Sequence, residues 1–176
     1  MPSPASPIPH PLPFPAMLLF DFQSPTDETW TVENDGVMGG HSQGAVRVED
    51  GTLQFTGTLV TRDGGFSQTR AEKRVDLRAY SAVELRVRGG GRTFQVEVSD
   101  GTKQGWRDVA RRGAFTTTET WQTVRIPFSS LEATVHGEPI AAGPLKLDAV
   151  ESIALYIADG QDGPFRLEVD WIRAAE

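Results

Sequence analysis

The sequence contains no cysteine, which excludes disulfides, iron–sulfur ligation and thiolate chemistry and fits a reducing compartment. Histidine is scarce as well, with three residues and no His-x-x-x-His or Glu-x-x-His pair to hold a transition metal. No run approaches the roughly 20 apolar residues of a membrane span, so no span is expected. Basic charge is in deficit: 17 Lys and Arg against 24 Asp and Glu leave a net charge of −7. That balance favours solubility and argues against a polyanionic partner, so nucleic acid is not expected. Arg107, Arg111 and Arg112 lie close together, but basic stretches interleaved with aromatics, of the kind that stack bases, are missing.

Catalytic signatures are absent too. No strand-to-helix elbow stands behind Gly40-His41-Ser42-Gln43-Gly44, so a serine nucleophile is not expected there. The glycines at 89–91 lack the Gly-x-Gly-x-x-Gly spacing and a following helix, which leaves a tight turn as their reading rather than a phosphate cradle. With 24 acidic residues, no carboxylate pair stands out for glycoside hydrolysis. No enzyme and no cofactor are expected.

What the sequence does hold is a pattern of short strands. Residues 1–16 carry seven prolines and cannot donate a regular ladder of backbone hydrogen bonds, so they read as a disordered leader before one domain over 17–174. A first strand is expected over 17–22, and 45–48 and 52–55 flank an Asp50-Gly51 reversal. Residues 83–88 and 94–98 alternate apolar with polar, so each shows one face to a core and one to water. Further strands are expected over 120–126, 152–158 and 165–172, with one short helical turn near 128–133. Many short strands at this spacing predict an all-β jelly-roll sandwich of two antiparallel sheets. In that reading Trp121 and Trp171 pack inside.

The densest group of unusual residues is Trp30 to Gly44, where Asn34-Asp35-Gly36 can form capped turns and Gly39-Gly40 allow close backbone approach. A second patch from Arg62 to Arg70 repeats the pairing of polar turn residues with two glycines and an aromatic. The run Asn34-Asp35-Gly36-Val37-Met38-Gly39-Gly40-His41-Ser42 resembles the mark of the complex I intermediate-associated protein 30 domain family. Later pieces resemble that family too: Gly64-Gly65-Phe66-Ser67 with Arg70, Gly89-Gly90-Gly91-Arg92, Trp121-Gln122-Thr123-Val124, and Gly163-Pro164-Phe165-Arg166-Leu167 leading to Trp171-Ile172. Together they span about residues 18–173, and the chain reads as a stand-alone, bacterial-type member. The resemblance implies a galactose-binding-like jelly roll and, from the mitochondrial members, a protein that binds assembly intermediates.

The expected function is therefore a non-catalytic, assembly-factor-like domain with a protein partner; carbohydrate binding is the alternative and carboxylate hydrolysis ranks last. Candidate binding residues are Asn34, Asp35, His41, Ser42, Arg70, Arg92 and Trp106. Arginines offer forks for carboxylates, and Trp106 sits in a polar stretch that favours exposure. An internal polar brace joining Asn34, Asp35 and Arg70 is the competing structural account, favoured over ligand binding. Asp21, Asp159, Asp162 and Asp170 could supply oxygen ligands to a calcium ion, against the plainer reading of Asp-capped turns. Residues 1–16 hold no Lys or Arg, unlike a basic import segment, so a cytoplasmic location is expected.

Overall fold

The computed structural model describes residues 14–24 and 29–176. Most of the proline-rich leader expected over 1–16 therefore lies outside the described residues. Strands follow one another as β1 (Met17–Phe20), β2 (Thr31–Asn34), β3 (Gln43–Glu49), β4 (Thr52–Leu59), β5 (Ser67–Val75), β6 (Ala82–Gly89), β7 (Thr93–Ser99) and β8 (Lys103–Gln104). The series continues with β9 (Arg107–Asp108), β10 (Ala110–Thr116), β11 (Gln122–Pro127), β12 (Glu132–Val135), β13 (Glu138–Pro139), β14 (Val150–Ile157) and β15 (Gly163–Ala175).

Among the described residues thirteen of them form two large antiparallel sheets, and β8 pairs with β9 alone. One has the order β11-β6-β15-β4-β3 with β1 added along β15; the other runs β13-β12-β10-β7-β14-β5-β2. This is the expected jelly-roll sandwich. No described helix is long and apolar enough to cross a membrane.

Alternation explains the core. Val83, Leu85 and Val87 of β6 point inward and are fully buried, while Glu84, Arg86 and Arg88 between them face out and carry ion pairs. From the opposite sheet come Phe94, Val96 and Val98 of β7 with Ile153, Leu155 and Ile157 of β14, all equally buried. Each such side chain contributes about 1.5–3 kcal/mol by leaving water. Phe55, Phe94 and Phe165 meet edge to face with centroids 5.0–6.5 Å apart, and Phe115 stacks on Phe94 at 6.2 Å.

Two tryptophans depart from the expected packing. Along β15, Phe165, Leu167 and Val169 face inward, but the register with β6 shifts between Val169 and Trp171. That bulge inserts one residue and turns the indole to the outer face, where Arg173 lies 4.3 Å over its ring. Trp121 precedes β11 and is also half-buried on that face, beneath Arg88 at 4.8 Å. At Trp171 period-two reasoning fails because one extra residue inverts every later side chain, whereas Trp121 shares the outward parity of the exposed Thr123 and Arg125.

Candidate functional site

The run from Asn34 to Ser42 is organised by one buried carboxylate. Asp35 opens a 3-10 turn (Asp35–Met38) and is fully buried. The Ser42 amide donates to its Oδ1 at 2.9 Å, and the Gly65 and Phe66 amides donate to Oδ2 at 2.6 and 3.3 Å. Two glycine-bearing segments are thereby tied to one side chain. Glycine is required on both: a Cβ at Gly64 would lie 2.6 Å from Asp35 Oδ2, and one at Gly40 would collide with the same carboxyl group. Burial pushes the Asp35 carboxyl up, but hydrogen bonds from Ser42, Gly65 and Phe66 outweigh it and hold it below the ordinary carboxylate value.

The neighbours complete the brace. Asn34 Oδ1 accepts from Ser67 Oγ at 2.6 Å, while Ser42 Oγ donates to the Val60 carbonyl at 3.2 Å and accepts from its amide at 2.9 Å. Gly40-x-Ser42-x-Gly44 has the spacing of a serine nucleophile, yet Ser42 is 5% exposed and leads into strand β3 rather than a helix. His41 is exposed beside this brace. Arg70, grouped with Asn34 and Asp35 in the sequence reading, goes elsewhere.

Arg70 lies in a hollow of about 590 Å³ on the outer face of the seven-stranded sheet. The registers align Arg70 of β5, Ala154 of β14, Glu97 of β7 and Arg112 of β10 in one row across four strands. Ala154 is small, so Arg70 reaches over it and its Nη2 donates to Glu97 Oε1 at 2.6 Å. Arg112 Nε donates to the other oxygen at 2.9 Å. The Glu97 carboxylate is 1% exposed and is shared by two guanidiniums. Gln68, with its amide oxygen turned toward Arg70, accepts from Nη2 at 2.9 Å and Nε at 3.1 Å. In the next row Tyr156 is covered, with Phe66 stacked at 5.5 Å and the Arg112 guanidinium 3.8 Å from its ring centre.

The rim is apolar and exposed. Val37 (76% exposed) and Met38 (64%) project from the turn that Asp35 fixes, and Trp106 (80%) projects from the β8–β9 hairpin. His136, at the β12–β13 reversal, meets Trp106 edge-on at 6.3 Å. Sequence reasoning found Trp106 and Arg70, saw Arg112 only as part of a basic cluster with Arg107 and Arg111, and missed Glu97 and Tyr156. The alternation Phe94-Gln95-Val96-Glu97-Val98 puts Glu97 on a polar face, and nothing more local marks it.

Arg92 does not line this hollow but clamps the loop that borders it at Gly160. Its Nε and Nη2 each donate to Asp159 at 2.7 Å, Nη1 donates to the Pro164 carbonyl at 2.9 Å, and Nη2 to the Gln161 carbonyl at 2.5 Å. From the β6–β7 connection it fixes the 159–164 loop, where the chain passes from β14 in one sheet to β15 in the other. The four aspartates weighed for calcium are occupied separately. Asp159 holds Arg92, Asp162 accepts from the Thr61 amide at 2.6 Å, Asp170 pairs with Arg86, and Asp21 caps its own turn at Gln23. Among the described residues, no group of three or more His, Cys, Asp or Glu could hold a metal ion.

Asp35, Asp100 and Asp159 carry depressed carboxyl pKa values. The Asp159 shift comes chiefly from Arg92; at Asp100, burial is outweighed by the Lys146 and Thr102 hydrogen bonds and by Arg111. A carboxylate depressed in the folded state adds stability that is complete above its unfolded value of 3.8 and is lost as pH falls through the folded value. The urea midpoint is therefore expected to hold from about pH 7 to 5 and to drop steadily below about pH 4. A midpoint unchanged down to about pH 2.5 would contradict the brace.

The family described as Complex I intermediate-associated protein 30 (CIA30) matches residues 20–169. Complex I intermediate-associated protein 30, mitochondrial, from Mus musculus is 29% identical over 89% of this chain and 55% of its own length; the Drosophila melanogaster protein of that name is 26% identical over 88% and 61%. The chain thus spans roughly half the length of these curated relatives. A solved family 11 carbohydrate-binding module from Clostridium thermocellum, in complex with a beta-1,3-1,4-mixed-linked tetrasaccharide, superposes with a TM-score of 0.68. It covers 91% of this chain and 95% of that one at 19% identity, a likeness of fold. These relatives are animal proteins and add no support to a bacterial-type, stand-alone reading. The cytoplasmic location expected from residues 1–16 does not stand, since the relatives are named mitochondrial. With a match that covers most of the sequence and every motif from Asn34 to Trp171 inside it or at its margin, the chain belongs to the complex I intermediate-associated protein 30 family.

Proposed function

We propose that this chain is a non-catalytic binding domain that presents the hollow on its seven-stranded sheet to a protein, in the manner of an assembly factor. The observation that carries the reading is the convergence of Val37, Met38 and Trp106 on one rim above a floor where Glu97 holds both Arg70 and Arg112 in place. Exposed large apolar side chains gathered at one place mark interaction surfaces, and tryptophan ranks among the strongest interface anchors. The paired floor contributes rigidity, whereas catalysis requires a reactive group left available. The relatives' names point to a complex I intermediate as the partner class.

The test is quantitative affinity capture from native extract with the wild-type chain and a Met38→Ser/Trp106→Ala variant, both shown to have the same melting temperature. Partner yield is expected to fall about tenfold or more, since a central aromatic anchor is typically worth about 2 kcal/mol or more. Equal yields from the two proteins would refute the reading.

Carbohydrate binding stands second, favoured by the open Trp106 ring at the lip of a polar hollow. A sugar platform needs accessible aromatic faces, and Tyr156, the ring on the floor, is 8% exposed beneath Phe66 and Arg112. A glycan array that lights up with the wild type and goes dark with Trp106→Ala would promote this reading over the first.

A further inference from the structure

Resting on the protein-binding reading, we infer that the hollow takes an extended polypeptide segment in which a carboxylate side chain stands beside an apolar one. The carboxylate meets Arg70, Arg112 and Arg107; the apolar side chain meets Trp106, Val37 and Met38.

The charge count of the hollow points to this ligand. Its walls carry three arginines, Arg70, Arg107 and Arg112, and three carboxylates, Glu33, Glu97 and Asp108. Asp108 is taken by Lys103 at 2.6 Å. Glu97 supplies one negative charge to two guanidiniums, so that pair of arginines retains an excess positive charge facing the opening. Arg70 keeps 39% of its side chain exposed despite its bond to Glu97. Arg107 is exposed and, among the described residues, enters no ion pair. A chain of net charge −7 thus turns a locally cationic floor toward its partner.

Guanidinium forks match carboxylates in geometry, and these forks are held in place beforehand. Glu97 fixes Arg70 and Arg112, and Tyr156 supports the Arg112 plane at 3.8 Å, so little side-chain freedom is lost when a carboxylate arrives. A second hollow of about 410 Å³ adjoins the first and shares Arg112, Gly137, Tyr156 and Ala158 with it. The two together form a trough across several strands, a shape suited to an extended segment. Glu33, on the edge strand β2, is the hollow's carboxylate without an ion pair among the described residues, and it opposes an acidic ligand.

The experiment pans a phage-displayed library of random peptides, about 12 residues long, on the full chain and measures the recovered peptides by calorimetry. Expected is enrichment of Asp or Glu next to a large apolar residue. Changing that acid to its amide should weaken binding about tenfold, and so should Arg107→Gln, a fully surface substitution, and Arg70→Gln, which leaves Glu97 paired with Arg112. Glu33→Gln should tighten binding several-fold, an effect no structural role of Glu33 would produce. Raising NaCl from about 0.05 to 0.5 M should weaken it further.

Apolar peptides indifferent to both arginine variants but lost in Trp106→Ala would overturn the acidic ligand and leave the protein-binding reading standing. Peptides indifferent to Trp106→Ala as well would sink both. A library that yields no binder overturns the extended-segment proposal.

Discussion

Asp35→Ala is expected to lower the unfolding free energy by about 3–5 kcal/mol, measured by urea denaturation at neutral pH. The substitution leaves the amides of Ser42, Gly65 and Phe66 pointing at a void where a carboxylate stood. Each buried donor without an acceptor costs about 1–3 kcal/mol, and charge-assisted bonds lie at the upper end. Asp35→Asn keeps the shape but replaces one acceptor oxygen with a donor, so a loss of similar sign is expected. Hydrogen exchange at Gly65 should quicken in both variants. His41→Ala, on an exposed neighbour in the same motif, should change stability by no more than about 0.5 kcal/mol. An Asp35→Ala protein within about 1 kcal/mol of wild type would show that the motif is held by something other than its carboxylate.

The second large effect is expected at Arg92. Its side chain is 11% exposed and that of Asp159 is 5% exposed, so Arg92→Ala strands a buried carboxylate and frees the carbonyls of Gln161 and Pro164. Breaking such a pair from one side costs about 3–5 kcal/mol. Removing both charges, as Arg92→Met with Asp159→Leu, should recover much of that loss, because no uncompensated ion is then left inside. A double variant no better than Arg92→Ala alone would mean that the carbonyl contacts, rather than the ion pair, hold the loop.

Much of the fold was legible in the sequence because its central strands obey a period of two. The expected strands over 83–88, 94–98 and 165–172 correspond to β6, β7 and β15, and the Asp50-Gly51 reversal joins β3 to β4. Both reversal residues adopt positive φ, 52° and 72°, as a tight two-residue turn requires. Strands β5 and β10 escaped notice for a shared reason. On β5 the inward residues include Ser67 and Thr69, buried but polar, while Gln68 and Arg70 face the hollow. On β10 the inward series passes through Gly113, whose missing side chain leaves room for Ile126 and Leu131. Neither strand shows the contrast between apolar and polar faces on which the eye depends.

The site was legible in part for a different reason. Local chemistry marked Trp30 to Gly44 as ordered, and Asn34 and Asp35 both hydrogen-bond within the fold there. Arg70 was assigned to the wrong neighbours because its true row, Arg70-Ala154-Glu97-Arg112, draws on four strands separated by up to 84 positions in the chain. Such a row exists only once the registers are known. Trp171 illustrates the same dependence in reverse, since a single bulge decided which face it joined.

One consequence of the turn at Asp35–Met38 concerns how such a protein can diversify. The carboxylate that sets the posture of the turn is sealed inside, while Val37 and Met38, the side chains it displays, stand free in solvent. Posture and message are thus carried by different atoms only two or three residues apart. Under the proposed binding role, new side chains at 37, 38 and 106 would alter what the domain recognises with little penalty to folding, so one unchanged scaffold would be readdressed from one client to another.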